Sequence, residues 1–249
     1  MDHLLQLALK KESIHFYNND FILRHLPNIL TLGNLLVGSI GIILVFKGMP
    51  ELGASMIWVA ALLDFFDGFA ARLLKVHSDL GKQLDSLADL VSFGLLPSIL
   101  VYYLLDQHFP QSTLPFIGLA IVIFSALRLA KFNIDTRQSE EFIGLPTPAN
   151  ALFFSVLPWF NDYNITFAEN FTNPYAVIVL TVIFSLMLVA PVRLFSLKIK
   201  QFSWSAGKYQ FILIILSLVL IFWMQLVAIP LIIFLYIILS LVRHLTIKG

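Results

Sequence analysis

The 249-residue chain has no cysteine and few charged residues. The absence of cysteine excludes disulfide bonds and thiol chemistry. Charged side chains make up 12% of the sequence, whereas 59% is hydrophobic and the mean hydropathy is +0.87; soluble domains carry about 25% charge. The net charge of +1 gives no basic field that would indicate a nucleic-acid partner. These deficits exclude a soluble enzyme, a disulfide scaffold and a disordered chain, and they indicate an integral membrane protein of several helices.

Long apolar stretches divide the sequence into about eight candidate membrane spans, since a bilayer core requires about 20 mostly apolar residues per helix. The predicted spans are 28–47, 51–74, 84–106, 114–133, 147–160, 174–194, 209–226 and 228–243. The fifth span is short, and the tight connection before the eighth requires a hairpin. Backbone groups in hydrocarbon must bond within their own segment, and the strand alternation of a membrane barrel is absent, so we expect an all-α bundle.

Lysine and arginine are distributed very unevenly between the two sides of such a bundle. If the chain crosses at every predicted span, all of the 16 basic residues except Lys47 fall on one side. The positive-inside rule makes that side cytoplasmic. We therefore expect both termini and the loops near 76, 138 and 201 in the cytoplasm, and a multi-pass protein of the inner (cytoplasmic) cell membrane. Residues 1–25 are predicted to be an amphipathic cytoplasmic segment.

Four carboxylates lie at the predicted cytoplasmic ends of the second and third spans, where charges are functional candidates by default. They are Asp64, Asp67, Asp85 and Asp89. At about 100° per residue, the first pair shares an arc with Gly68 and Arg72, and the second pair lies on one stripe with Gly81. A short loop makes the helices antiparallel neighbours, so all four side chains can face one cleft. Oxygen-only ligands suit Mg²⁺ or Mn²⁺ better than zinc; the alternative is helix-end charges paired with nearby lysines.

From Asp64 to Asp89 the sequence reads D-x2-D-G-x2-A-R-x8-G-x3-D-x3-D, which resembles the signature of the CDP-alcohol phosphatidyltransferases. The resemblance implies that residues 26–249 form a transmembrane catalytic domain with a two-ion Mg²⁺ or Mn²⁺ site on all four aspartates. It further implies that Asp89 is the general base that deprotonates the acceptor alcohol. The implied contacts with the CDP-lipid are Thr31, Asn34, Asp64, Gly68, Arg72 and Ser78.

Three further segments concern the acceptor alcohol. Residues 84–94, 127–134 and 142–148 resemble stretches of the bacterial and archaeal phosphatidylserine synthases of this family, which implies CDP-diacylglycerol and L-serine as substrates. The carboxylate of serine needs a cationic partner. Arg128 and Lys131 lie at a suitable depth for that role, and Asn133 could hold either charged group of serine. The alternative is that these two cations only satisfy the positive-inside topology.

Other functions are compatible with the sequence. Glycerol 3-phosphate or inositol (or its phosphate) as acceptor would need additional basic residues, which Arg128, Lys131 and Arg137 could supply. A divalent-cation transporter would carry its carboxylates near the bilayer midplane, whereas here they lie at the cytoplasmic end beside Arg72. A purely structural role in the membrane would not explain why four carboxylates cluster at one end of two helices. The family resemblance also implies a homodimer.

Overall fold

A computed structural model of the chain describes residues 25–76, 78–134, 141–162, 173–195 and 204–248. The predicted amphipathic segment lies outside the described residues except for His25, as do positions 138 and 201 of the two predicted cytoplasmic loops.

Eight helices form the bulk of the described chain. The first four are α1 (His25–Phe46), α2 (Pro50–Leu74), α3 (Asp79–Asp106) and α4 (Leu114–Ile134). The last four are α5 (Thr147–Ser155), α6 (Pro174–Val189), α7 (Trp204–Met224) and α8 (Ala228–Lys248). Three of them have irregular ends or interiors: α3 contains a π-helical segment over Leu90–Leu95, α4 begins with a 3-10 turn over Leu114–Leu119, and a 3-10 segment over Leu157–Asp162 follows α5.

Four stretches are long and apolar enough to cross a membrane. They are His25–Phe46, Asp79–Asp106, Leu114–Ile134 and Lys208–Thr246. The last has 39 residues, about twice the length that one crossing needs. The chain reverses inside it at Gln225, whose φ is 50°, and the hydroxyls of Tyr209 and Thr246 lie 2.8 Å apart. The predicted hairpin of α7 and α8 is therefore confirmed, and the protein is a helical membrane protein.

Several helix boundaries differ from the predicted spans, including the start of α7 at Trp204 and the end of α8 at Lys248. Helix α3 starts at Asp79, five residues early, because the Ser78 hydroxyl caps it by accepting a hydrogen bond from the Gly81 amide at 2.9 Å. Helix α6 ends at Val189, five residues before the predicted end of the sixth span. Beyond it, β2 (Arg193–Phe195) pairs antiparallel with β1 (Glu141–Ile143). The purely helical expectation is wrong at this ribbon, because the bilayer argument applies only to segments in hydrocarbon and both strands lie in connections.

The helices that carry the acidic motif are packed unusually closely. A β-carbon on Gly41 of α1 would lie 2.6 Å from a methyl of Leu96, and one on Gly53 of α2 would lie 2.9 Å from the Gly41 carbonyl. Val45 and Ile57 complete a fully buried cluster between α1, α2 and α3. Since the interhelix spacing leaves no room for side chains at the two glycines, the register of the three helices is fixed, and so are the relative positions of their functional ends.

A second core lies under the other half of the molecule. It joins α5, α6 and α8 through stacked and edge-to-face phenylalanines, including Phe153 and Phe184 with ring centroids 3.9 Å apart, and it includes Ile121 of α4. This cluster holds α5 in the interior although that helix has only nine residues. The second core thereby fixes the start of α5, where the Thr147 hydroxyl accepts a hydrogen bond from Arg128 Nη1 at 3.3 Å.

Candidate functional site

The acidic motif converges as the residue spacing predicts. Asp64 and Asp67 of α2 and Asp85 of α3 each place one carboxylate oxygen within 4.8 Å of the other two. Asp67 is only 5% exposed, whereas Asp64 and Asp85 are half-buried. Three negative groups this close repel one another unless protons or cations compensate their charge. The donor set contains only carboxylate oxygens, so the triad fits a hard divalent cation.

Asp89 lies beside the triad rather than in it. It is 8% exposed, and it lies one helical turn after Asp85 on the same helix. Its Oδ1 atom is buried and has no hydrogen-bond partner. The π-helical segment of α3 begins at the next residue; such segments often occur at functional sites because they change the direction of the flanking side chains.

Helix α1 fixes Asp67 from the side. The Thr31 hydroxyl donates to Asp67 Oδ2 at 2.7 Å and also lies 3.0 Å from the Pro27 carbonyl oxygen. Thr31 is 4% exposed, so water does not readily replace this bond. The sequence predicts Thr31 as a lipid contact, and the structure shows in addition that it is hydrogen-bonded to a carboxylate of the triad.

A cavity of about 580 Å³ opens beside the triad, where the first turns of α1, the last turns of α2 and the first turns of α3 meet. Its polar and charged lining side chains are those of Asn28, Thr31, Asp67, Arg72, Ser78, Asp79, Lys82 and Asp85. Glycines form part of the wall. A β-carbon on Gly81 would lie 3.0 Å from both Asn28 Oδ1 and Ser78 Oγ, so a larger residue would narrow the cavity.

Most of the predicted nucleotide-binding residues line this cavity together. Thr31, Gly68, Arg72 and Ser78 all do so. Asn34 does not: it is fully buried, and its backbone carbonyl accepts a hydrogen bond from the Ser92 hydroxyl at 3.0 Å. Both polar atoms of its side chain are buried and have no hydrogen-bond partner, so the contact of Asn34 with the CDP-lipid stays a prediction. Asp64, also expected to touch the lipid, belongs to the carboxylate triad rather than to the cavity wall.

Lys82 is a cavity residue that sequence reasoning missed. Its Nζ donates to the Asn133 carbonyl at the end of α4, at 2.9 Å. It therefore adds positive charge near Arg72 while linking α3 to α4. No signal in the sequence could have identified it, because Lys82 occupies an unspecified position of the motif.

The three predicted acceptor residues have different surroundings. Arg128 is 8% exposed and interacts electrostatically with Asp89, and its Nη1 donates to the Thr147 hydroxyl at 3.3 Å. Lys131 is exposed. Asn133 is half-buried and donates from Nδ2 to the Ser86 hydroxyl at 2.8 Å. The structure thus brings Arg128 to the acidic site, whereas Asn133 is bonded to the side of α3.

Comparison with known proteins agrees with this geometry. The family model described as CDP-alcohol phosphatidyltransferase matches residues 24–247. A Helicobacter pylori (strain ATCC 700392 / 26695) protein named CDP-diacylglycerol–serine O-phosphatidyltransferase is 32% identical over 225 residues, which cover 88% of this chain and 90% of the relative. A Bacillus subtilis (strain 168) protein of the same name is 39% identical over 139 residues, covering 54% of this chain and 76% of the relative. An archaetidylserine synthase of Methanothermobacter thermautotrophicus is 35% identical over 133 residues, covering 52% and 56% respectively.

Proposed function

Because the chain belongs to the CDP-alcohol phosphatidyltransferase family, we propose that it transfers the phosphatidyl group of CDP-diacylglycerol to L-serine, giving phosphatidylserine and CMP. The observation that carries the proposal is the carboxylate triad beside a cavity that also holds Arg72 and Lys82. The names of the relatives support serine as the acceptor. The buried Arg128 beside Asp89 supports it independently, since it can pair with a carboxylate.

The four aspartates are the proposed ligands of two divalent cations, Mg²⁺ or Mn²⁺. When bound, such ions neutralise a pyrophosphate and stabilise the leaving CMP. The fit rests on the oxygen-only donor set of the triad. Thr31 would keep Asp67 in one orientation by its hydrogen bond, as residues behind metal ligands commonly do.

The cavity is the proposed site of the nucleotide end of the donor lipid. Arg72 offers a planar fork of donors to a phosphate, and Lys82 offers a compact positive charge. Gly68 and Gly81 have no side chains, so the cavity wall leaves space at these positions for a bulky group to enter. The Ser78 hydroxyl already accepts from the Gly81 amide, so its proton is available to donate to an oxygen of the lipid.

Asp89 is the proposed general base. It would take the proton of the serine hydroxyl as that oxygen attacks the phosphorus that carries diacylglycerol. The new bond joins the serine oxygen to phosphorus, the bond between that phosphorus and the CMP oxygen breaks, and CMP leaves with the electron pair. We propose a single in-line displacement, because the lining side chains that belong to the described residues include no cysteine or histidine that would carry a covalent intermediate.

The proposed topology has eight spans, with both termini and the cavity on the cytoplasmic side of the inner membrane, in a homodimer. Five of these spans are α1, α3, α4, α7 and α8, which lie in the four long apolar stretches. The other three are α2, α5 and α6. The absence of native cysteine allows a direct test with single cysteines and a membrane-impermeant thiol reagent. Lys75→Cys should be labelled only from the cytoplasmic side, and Lys47→Cys only from the opposite side; labelling of both from one side would contradict the topology.

The test of the reaction is a parallel acceptor assay on the purified protein in detergent. CDP-diacylglycerol and Mg²⁺ are supplied with labelled L-serine, glycerol 3-phosphate or inositol, and CMP and lipid products are measured. We expect CMP release with serine and labelled phosphatidylserine as product. CMP release with glycerol 3-phosphate or inositol, and not with serine, would show that the acceptor is another alcohol. The assignment to the family would then be unchanged. Family membership, together with Arg72 and Lys82 in the cavity wall, favours transfer over cation transport.

A further inference from the structure

Buried polar groups without hydrogen-bond partners concentrate around the π-helical segment of α3. More than about 90% of buried polar groups in proteins are bonded, so each exception requires an explanation. Among the described residues, the side chains that contain such atoms are Asn34, Asp89, Ser125, Arg128, Asn150 and Ser185. Helices α4 and α5, which carry three of them, both pack against Leu90–Leu95, directly after Asp89.

One donor nitrogen of Arg128 has a hydrogen-bond partner and another has none. Its Nη1 atom donates to the Thr147 hydroxyl at 3.3 Å, and its guanidinium interacts electrostatically with Asp89. The Nε atom of Arg128 is buried and has no partner. A fixed, buried guanidinium with a free donor is prepared for an anionic group.

Asn150 supplies the second free group. It lies one helical turn after Thr147, on the same face of α5, and both residues are fully buried. Neither Oδ1 nor Nδ2 of Asn150 has a hydrogen-bond partner. A carboxamide can donate two hydrogen bonds and accept two. Asn150 can therefore serve an anionic and a cationic group of one ligand at the same time.

We propose that Asn150 and Arg128 form the subsite for the α-amino and α-carboxyl groups of the acceptor, next to Asp89. The carboxylate accepts from Arg128 Nε and Asn150 Nδ2, the ammonium donates to Asn150 Oδ1, and the hydroxyl reaches Asp89 Oδ1. Thr147 is a positioning residue that holds Arg128 by its hydrogen bond. The inference rests on the proposed function and assigns a specificity role to Asn150.

The chemistry of the unpartnered atoms favours a zwitterion over a simple alcohol. The free donor on Arg128 requires an acceptor, whereas Asp89 Oδ1 and Asn150 Oδ1 require donors. An α-amino acid with a hydroxyl carries all three complements within a few bonds. Ethanolamine has the hydroxyl and the ammonium but no carboxylate, so it leaves Arg128 Nε unbonded and is the matched poor substrate.

The test compares wild type with Asn150→Leu, which removes both polar atoms at similar volume. We expect the KM for L-serine to rise at least about tenfold, the effect of losing hydrogen bonds to charged groups, while the KM for CDP-diacylglycerol changes less than about twofold. Thr181→Val is the matched control, because Thr181 is fully buried and its hydroxyl donates only to the Val177 carbonyl of its own helix. Thermal melting monitors folding of each variant.

Asn150→Asp provides a second variant with a different signature. A carboxylate at this position would pair with Arg128 and repel the carboxylate of serine. We expect an unchanged or raised melting temperature together with a rise in the serine KM of at least about tenfold, and a higher turnover of ethanolamine relative to serine. A residue that only supports the fold would not change this acceptor ratio.

The outcomes separate the two proposals. No serine-dependent CMP release from wild type would contradict the proposed function. Normal release from wild type with an unaltered serine KM in both Asn150 variants would overturn this inference alone, and would mean that the unpartnered atoms bind water only. An equal rise in the KM of both substrates would likewise overturn it.

Discussion

The hydrogen bond between Thr31 and Asp67 allows a quantitative test of the proposed metal site. Thr31→Val removes the hydroxyl and keeps the shape of the side chain. The 2.7 Å separation is short, as is typical of a hydroxyl bound to a carboxylate, and the two residues are 4% and 5% exposed. Such a bond contributes about 1.5–3 kcal/mol, which corresponds to roughly 10- to 150-fold in an equilibrium constant.

We expect the Mg²⁺ concentration for half-maximal CMP release to rise by about that factor in Thr31→Val. The assay is a Mg²⁺ titration of the purified enzyme at saturating CDP-diacylglycerol and serine. Thr31→Ser keeps the hydroxyl and should stay near wild type. Ser39→Ala is the matched control on the same helix, because Ser39 donates at 2.8 Å only to the Leu35 carbonyl and touches no carboxylate.

The opposite pattern would refute the reasoning. If Thr31→Val raised the KM for CDP-diacylglycerol and left the Mg²⁺ requirement unchanged, Thr31 would contact the donor lipid directly and would not position Asp67. If Ser39→Ala shifted the Mg²⁺ requirement as strongly, the effect would belong to helix α1 as a whole.

Three further predictions concern the base, the cations and the backbone. Asp89→Asn should reduce turnover by about 10²–10⁴-fold while sparing CDP-lipid binding more than Asp64→Asn does; a near wild-type rate would refute the base. EDTA should stop CMP release, and Mg²⁺ or Mn²⁺ should restore it; indifference to the chelator would refute the cation requirement. Gly144→Ala should lower the melting temperature by roughly 2–12 °C, because Gly144 has a φ of 82° and its added β-carbon would overlap the Leu188 carbonyl oxygen. Gly33→Ala is the control, since its added β-carbon would meet nothing closer than 3.6 Å, and an equal loss in both would contradict the strain argument.

The parts of the fold that follow from length and hydropathy were predictable. Helix α2 was expected at 51–74 and is found at Pro50–Leu74, because the bilayer sets the length of an apolar run. The convergence of Asp64 with Asp85 followed from the helical period and the short loop between their helices. The reversal at Gln225 followed because two bilayer-length runs were joined with almost no connection.

What could not be predicted depends on contacts between distant parts of the chain. The hydrogen bond from Thr31 to Asp67 joins residues 36 positions apart, and the bond from the Ser92 hydroxyl to the Asn34 carbonyl joins residues 58 positions apart. The π-helical segment after Asp89 has an ordinary helical sequence, so its geometry arises from packing. The three-residue strands are too short for any periodicity to reveal. Asn34 was predicted as a ligand from its position, but its full burial outside the cavity wall depends on how the helices pack together.

The central claim is that carboxylates of α2 and α3 bind divalent cations beside the donor-lipid cavity. The most direct measurement is an electron paramagnetic resonance titration of Mn²⁺ into the purified full-length chain, comparing wild type with Asp85→Asn and with Asp106→Asn, which alters a carboxylate at the other end of the same helix. We predict saturable Mn²⁺ binding in wild type and Asp106→Asn, and a loss of at least about tenfold in affinity in Asp85→Asn. Equal Mn²⁺ affinity in all three proteins would contradict the account.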